Sequence, residues 1–192
     1  MRATSLSILT SEHSLPVAAP ADSRLEIEFR GVAKHFPGRG KSAATLAVQG
    51  LDLAIRRGEV VSIIGPSGCG KSTLLNMGAG LYAPSEGEVR VGGERVSGPV
   101  RKVSFMLQKD LLMPWRSIRR NIELGLEIDG RAAGERRAIA EEMLEKCHLA
   151  GFAEHYPFQL SGGMRQRAAL ARTLATDPQV LFLDEPFSAD RK

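Results

Sequence analysis

The stretch "EVVSIIGPSGCGKSTLLNMGAG", residues 59–80, constrains this chain more than any other. It contains the pattern G-x-x-x-x-G-K-[ST], with Gly65, Gly70, Lys71 and Ser72 at the fixed positions. The run "EVVSII" before it is apolar and bounded by Gly58 and Gly65, as a buried parallel strand would be. The residues after it read as a helix. Strand, glycine loop and helix form the context in which this pattern holds phosphate. Glycines let backbone N–H groups turn inward around phosphate oxygens, and a helix N-terminus adds its positive end. Lys71 is placed to reach the β and γ phosphates, and the Ser72 hydroxyl to hold Mg²⁺. Gly65, Pro66, Ser67, Gly68, Cys69, Gly70, Lys71, Ser72 and Thr73 are therefore the candidate nucleotide-binding residues. Cys69 is either a small tolerated side chain or a redox-active one.

A second motif supplies what this loop lacks. In "VLFLDEP" (180–186) an apolar strand delivers Asp184 to its C-terminal end, where open α/β sheets bind ligands. Asp184 would hold Mg²⁺. Glu185 would orient or deprotonate an attacking water. Alone, an acid pair at a strand end is an ordinary surface feature; behind a phosphate loop it is a catalytic candidate. A third motif, "LSGGMRQR" (160–167), is a Ser-capped helix start with two glycines, which makes an anion site distant in sequence from the first loop.

The rest of the chain fits a mixed α/β protein. Its 192 residues are 43% hydrophobic and 25% charged, enough for one ordinary domain with a core. No apolar run approaches the roughly 20 residues of a membrane-spanning helix. Cys69 and Cys147 are the only cysteines, which fits a reducing cytosol better than a disulfide framework. The net charge of +4 invites a nucleic-acid reading, but the basic clusters around Arg116–Arg120 and Arg131–Arg137 alternate with acids and read as solvated helix faces. Residues 1–23 are rich in Ser, Ala and Pro and read as a flexible tail rather than a secretory signal.

Strand signals follow at "LEIEF", "LDLAI", the hairpin "GEVRVGGERV" and "KVSFML". Helical spacing dominates about 115–150, where Ile139, Met143, Leu144 and Cys147 share one face. "SGGMRQRAALARTLATDP" reads as a helix capped by Ser161 and stopped before Pro178. There is no internal repeat.

Taken in order, the phosphate loop, "LSGGMRQR" and "VLFLDEP" resemble the ATP-binding subunit of ABC transporters over about 24–189. The resemblance implies an α/β P-loop NTPase (ABC ATPase) core with an antiparallel β subdomain and an inserted helical subdomain at about 109–165. It implies ATP and Mg²⁺ as ligands and ATP hydrolysis as the activity. Ser161, Gly162 and Gly163 would touch the γ-phosphate of an ATP held by a second ATPase subunit. Gln108 matches the glutamine that senses Mg²⁺ and the water and contacts the permease. Phe36 matches the aromatic that stacks on adenine; a core phenylalanine is the alternative.

The segments "LLMPWRSIRRNIELGLEI" and "FAEHYPFQLSGGMRQRAALARTL" resemble, more narrowly, ATPases that drive import of nitrate, sulfonate or taurine. The implied partners are transmembrane permease subunits, a solute-binding protein and a second copy. The implied location is peripheral, on the cytoplasmic face of the inner membrane. Trp115 is either a permease contact or a core residue.

The chain departs from the family after Glu185. Ser188 and Ala189 are followed directly by Asp190, where the family reads S-A-L-D, and no later strand and histidine follow. The expectation is therefore a C-terminally truncated domain over 24–192 with core elements missing, and weak turnover or none. The alternative function is a nucleotide-binding module with little or no ATP turnover. Chromosome and repair ATPases of related type carry a long coiled coil before the signature, and no sustained heptads separate Gln108 from Ser161.

Overall fold

The computed structural model describes residues 7–10 (backbone only), 24–38 and 44–186. The rest of the segment read as a tail, and the departure at Ser188–Asp190, lie outside the described residues. The chain divides into two compact units, 1–101 and 102–192.

The first unit holds β1 (Ser7–Thr10), β2 (Leu25–Phe36), β3 (Thr45–Arg56), β4 (Val61–Ile64), α1 (Lys71–Gly78), β5 (Glu86–Val91) and β6 (Glu94–Arg95). Four of these strands form an antiparallel sheet in the order β3-β2-β5-β6. The alternation of "LEIEF" places Ile27 and Phe29 inside. A register shift after Phe29, at Gly31 with φ +55°, lets the adjacent Val32 and Ala33 both be buried. Gly92 and Gly93, at φ +57° and +80°, make the two-residue turn between β5 and β6 that their sequence signals. Helix α1 contacts β2, β3 and β5, and its Leu74 and Met77 are fully buried. Burial of each such side chain contributes about 1.5–3 kcal/mol.

Strand β4 departs from the buried parallel strand read from "EVVSII". It pairs antiparallel with β1, Ser7 opposite Ile64 and Thr10 opposite Val61. Its exposure alternates, with Ser62 and Ile64 outside and Val61 and Ile63 half-buried. A continuous apolar run does not say which face is covered, and any extended segment with free backbone groups supplies a partner. The strand 7–10 itself is too short, and too poorly bounded, to stand out within a Ser/Ala/Pro-rich stretch.

The second unit holds β7 (Val103–Met106), α2 (Ile118–Ile122), α3 (Leu124–Ile128), α4 (Ala133–Lys146), α5 (Gly162–Leu174) and β8 (Val180–Leu183). Strands β7 and β8 are parallel, with Val103 opposite Val180 and Met106 opposite Leu183. The helices lie between them in sequence, because parallel neighbours require a long crossover. Their core joins Ile118 and Ile122 of α2, Leu126 of α3, Ala140 and Leu144 of α4, and Ala168, Ala169 and Ala171 of α5. The small residues of α5 allow its neighbours to approach. Ile139, Met143 and Cys147 are half-buried against the same cluster, so the face read from spacing is the packed one.

Candidate nucleotide site

The phosphate loop runs from the end of β4 to the start of α1. Gly68 and Gly70 both have left-handed backbone, at φ +80° and +101°. Gly70 is required twice over. A Cβ there would lie 2.4 Å from the Ala47 carbonyl oxygen and 3.2 Å from a Val48 methyl, so the loop is seated directly on β3. Gly70 is also the N-cap of α1 and offers no side chain to the helix's first amides. Those amides are thus available to an anion, with the helix dipole behind them.

Lys71 folds back into the loop. Its ammonium donates to the carbonyls of Gly65 at 2.8 Å and Pro66 at 3.0 Å, and lies 3.9 Å from Cys69 Sγ. These neutral acceptors hold the cation against the loop, and they are exchangeable for phosphate oxygens, which bind an ammonium more strongly. Ser72 is exposed, Thr73 half-buried, and Asn76 Nδ2 donates to the Ser72 carbonyl at 2.6 Å.

In the second unit the parallel pair β7/β8 brings two of the expected residues together. Gln108, just past β7, donates from Nε2 to Glu185 Oε2 at 2.8 Å, just past β8. Asp184, the first residue past β8, is 7% exposed, and its N–H donates to the Met106 carbonyl at 2.9 Å. Glu185 itself has left-handed backbone, φ +50°, a conformation that costs a non-glycine residue on the order of 1 kcal/mol or more.

The signature helix α5 begins as read. The Ser161 hydroxyl accepts from Met164 N at 3.3 Å, and Gly163 has nothing within 4 Å of where a Cβ would stand. Both Ser161 and Gly163 are exposed, so this helix start faces solvent.

Phe36, at the end of β2, is half-buried rather than core. Its ring meets that of Tyr82 edge to face, with centroids 5.7 Å apart and planes at 81°. Trp115 is 72% exposed, which removes the core reading for that residue.

Three residues that carry the site's support did not stand out in the sequence. Asn121 is fully buried and uses both ends of its amide. It accepts from Met113 N at 2.7 Å and donates to the carbonyls of Met113, Arg116 and Ser117, each at 3.1 Å. It thereby fixes the loop that presents Pro114 and Trp115. Asp110 ties the segment after Gln108 to α5, and Tyr82 braces Phe36. Each acts through partners remote in sequence, which no local pattern reveals.

Among the described residues no group of three or more His, Cys, Asp or Glu could hold a metal by itself. Ser72, in the first unit, and Asp184, in the second, each carry a hard oxygen donor of the kind Mg²⁺ accepts.

A seated glycine loop, a buried strand-end aspartate and a paired Gln–Glu define a phosphate-loop nucleotide-binding protein. Residues 48–188 match the ABC transporter family, and the chain belongs to it. It is 41% identical over 166 residues to an ABC transporter ATP-binding protein, MJ0412, of Methanocaldococcus jannaschii, covering 86% of this chain and 61% of that one. It is 48% identical over 143 residues to the taurine import ATP-binding protein TauB of Yersinia pestis, covering 74% of this chain and 56% of that one. The chain thus spans 56% to 61% of the length of these relatives. Among solved structures it is similar to the dimeric post-hydrolysis state of the ATP-binding cassette MJ0796 bound to ADP and Pi. The TM-score is 0.76 at 34% identity, covering 85% of this chain and 75% of that one.

Proposed function

We propose that this chain belongs to an ATP-binding and ATP-hydrolysing subunit that powers membrane import of a small solute such as nitrate, sulfonate or taurine. The observation that carries the reading is the phosphate loop seated on β3 at Gly70, with no side chain capping the start of α1 and the Lys71 ammonium folded back onto the loop carbonyls. Similarity to a taurine import protein supports the solute class.

In this reading the α1 amides and Lys71 bind the β and γ phosphates. Ser72 and Asp184 are the residues that would hold Mg²⁺. When bound, the ion neutralises charge developing on the phosphate oxygens. Glu185 orients the attacking water and accepts its proton at a carboxylate oxygen. Gln108 holds that carboxylate in place through the 2.8 Å hydrogen bond. Phosphoryl transfer is catalysed mostly by positioning and charge, and each of these residues contributes one or the other.

Phe36 stacks on the adenine. Its ladder partner, Thr45, is two residues from Ala47, on which the phosphate loop rests, so base and phosphates of one nucleotide fall within a single stretch of β3. Ser161, Gly162 and Gly163 serve the nucleotide of a second copy; the exposure of that helix start and the dimeric state of the solved relative support this. The loop at Pro114–Trp115 faces a transmembrane permease, which a solute-binding protein supplies. The subunit is placed peripherally on the cytoplasmic face of the membrane. No helix among the described residues is long and apolar enough to cross a membrane.

The test is calorimetry with Mg–ATP on wild type and Lys71→Ala, together with phosphate release by wild type and Glu185→Gln. Binding lost in the first variant and turnover lost in the second are expected. Equal ATP affinity in wild type and Lys71→Ala would remove the assignment.

A further inference from the structure

Phe36 and the phosphate loop are joined by a third residue. Helix α1 starts at Lys71, and Asn76 in it accepts backbone hydrogen bonds from Leu81 at 2.9 Å and Tyr82 at 3.2 Å. The same Asn76 donates through its side chain to the Ser72 carbonyl at 2.6 Å. Tyr82 is therefore anchored to the helix whose first turn carries the phosphate-binding groups.

Its ring then meets Phe36 edge to face, at 81° and 5.7 Å between centroids. Lys34 Nζ lies over both rings, 5.3 Å from the Phe36 centroid and 5.9 Å from that of Tyr82, and donates to the Ala83 carbonyl at 2.7 Å. Two further bonds fasten this segment to β2: Ser85 N to the Ala33 carbonyl at 2.8 Å, and His35 N to Ser85 Oγ at 3.0 Å. So the piece of chain leaving α1 is tied to that helix just before the Phe36–Tyr82 contact and laced to the end of β2 just after it.

A phenylalanine ring in a half-exposed position rotates freely unless a neighbour blocks it. A perpendicular ring edge does so and favours one plane, through the opposed charge of ring face and edge. The ammonium over both rings adds to that preference.

We propose that Tyr82 is a positioning residue for base binding: it sets the plane of the Phe36 ring relative to the helix that holds the phosphates, so that one purine nucleotide engages both at once. The proposal rests on the reading of Phe36 as the residue that stacks on the base. Tyr82 does not touch the phosphates, so its effect is confined to ligands that carry a base. A ligand whose two ends must be satisfied together gains from having the receiving groups pre-set.

The test uses the whole chain and two probes, Mg–ATP and Mg–tripolyphosphate, each titrated by calorimetry against wild type, Phe36→Ala, Tyr82→Leu and Tyr82→Phe. Tyr82 is 42% exposed, so Tyr82→Leu leaves no cavity; Tyr82→Met, with similar bulk, replaces it if that variant does not fold. Tyr82→Leu is expected to weaken ATP binding about three- to ten-fold, the range set by an aromatic pair, with tripolyphosphate affinity unchanged. Tyr82→Phe, which keeps the ring edge, restores ATP affinity. Equal losses for ATP and tripolyphosphate would mark Tyr82 as merely structural and overturn the proposal. So would undiminished ATP binding by Tyr82→Leu beside weakened binding by Phe36→Ala, an outcome that leaves the Phe36 reading standing. Undiminished ATP binding by Phe36→Ala would instead remove the stacking reading itself, and the proposal with it.

Discussion

Asp110 accepts a hydrogen bond from Arg165 Nε at 3.1 Å through its carboxylate, and its main-chain carbonyl accepts from Arg172 at 2.7 Å. Arg172 also donates to the Leu111 carbonyl at 2.8 Å. Two arginines about two turns apart on α5 thus grip the segment that begins just after Gln108. Burial lowers the Arg172 guanidinium from its ordinary value, and the nearby Asp110 charge opposes that. Asp110→Ala removes the only carboxylate in this set. The loss is expected to be about 1 kcal/mol, between a surface ion pair and a buried charged hydrogen bond, and is read as a lower urea midpoint. An unchanged midpoint would show that the backbone carbonyls suffice.

Asn121→Ala is expected to be more damaging. It removes the side-chain partner of three carbonyls and one amide. The Met113 and Ser117 carbonyls keep backbone donors in Arg116 and Asn121, so the Arg116 carbonyl and the Met113 amide lose most, and the cost is about 1–3 kcal/mol. The same variant loosens the loop carrying Trp115. Because Trp115 is the single tryptophan and is 72% exposed, its fluorescence is expected to be quenched by acrylamide almost as readily in the native protein as in urea. A strongly protected native indole would contradict the exposed placement.

Glycines 70 and 163 make a contrasting pair. Gly70→Ala forces a Cβ to within 2.4 Å of the Ala47 carbonyl in a left-handed backbone, so a loss of stability of at least about 1–3 kcal/mol is expected along with loss of ATP binding. Gly163→Ala meets open space, so its stability is expected to stay within about 0.5 kcal/mol of wild type. Equal destabilisation of the two by differential scanning calorimetry would refute the seating of the loop on β3.

Burial raises the Cys147 thiol above the ordinary thiol range, with Arg167 partly opposing. The unfolded chain therefore releases this proton at a lower pH than the folded one does. Below the ordinary thiol value both states are neutral and nothing changes; as pH rises through it, the unfolded state is favoured and stability falls. The stability difference between wild type and Cys147→Ala, measured by urea unfolding from pH 7 to 9.5, is expected to move against wild type at the alkaline end. A pH-independent difference would show that this thiol is not coupled to folding.

Much of the site was legible because its chemistry is written locally. The phosphate loop needs its glycines, lysine and serine within eight residues, so Gly65–Ser72 was readable at sight. The same holds for the Ser161 cap and for the "LEIEF" alternation. What stayed hidden depends on pairing. "EVVSII" cannot say whether its partner is parallel or antiparallel, and β1 supplies an antiparallel one. Asn121 reads as an ordinary helical polar residue until the loop at 113–117 is folded over it. Phe36 and Tyr82 are neighbours only because the segment leaving α1 returns to β2.

The left-handed backbone at Glu185 sets two selections against each other. The dihedral angles there suit Gly or Asn, whereas the contact with Gln108 suits an acid. A randomised library at position 185 sorted only for folded, soluble protein would therefore drift toward the small, permissive residues. Under the proposed function, one sorted for ATP turnover would return to Glu. The gap between the two enriched alphabets would measure, at a single residue, how far activity rather than architecture has chosen this part of the sequence.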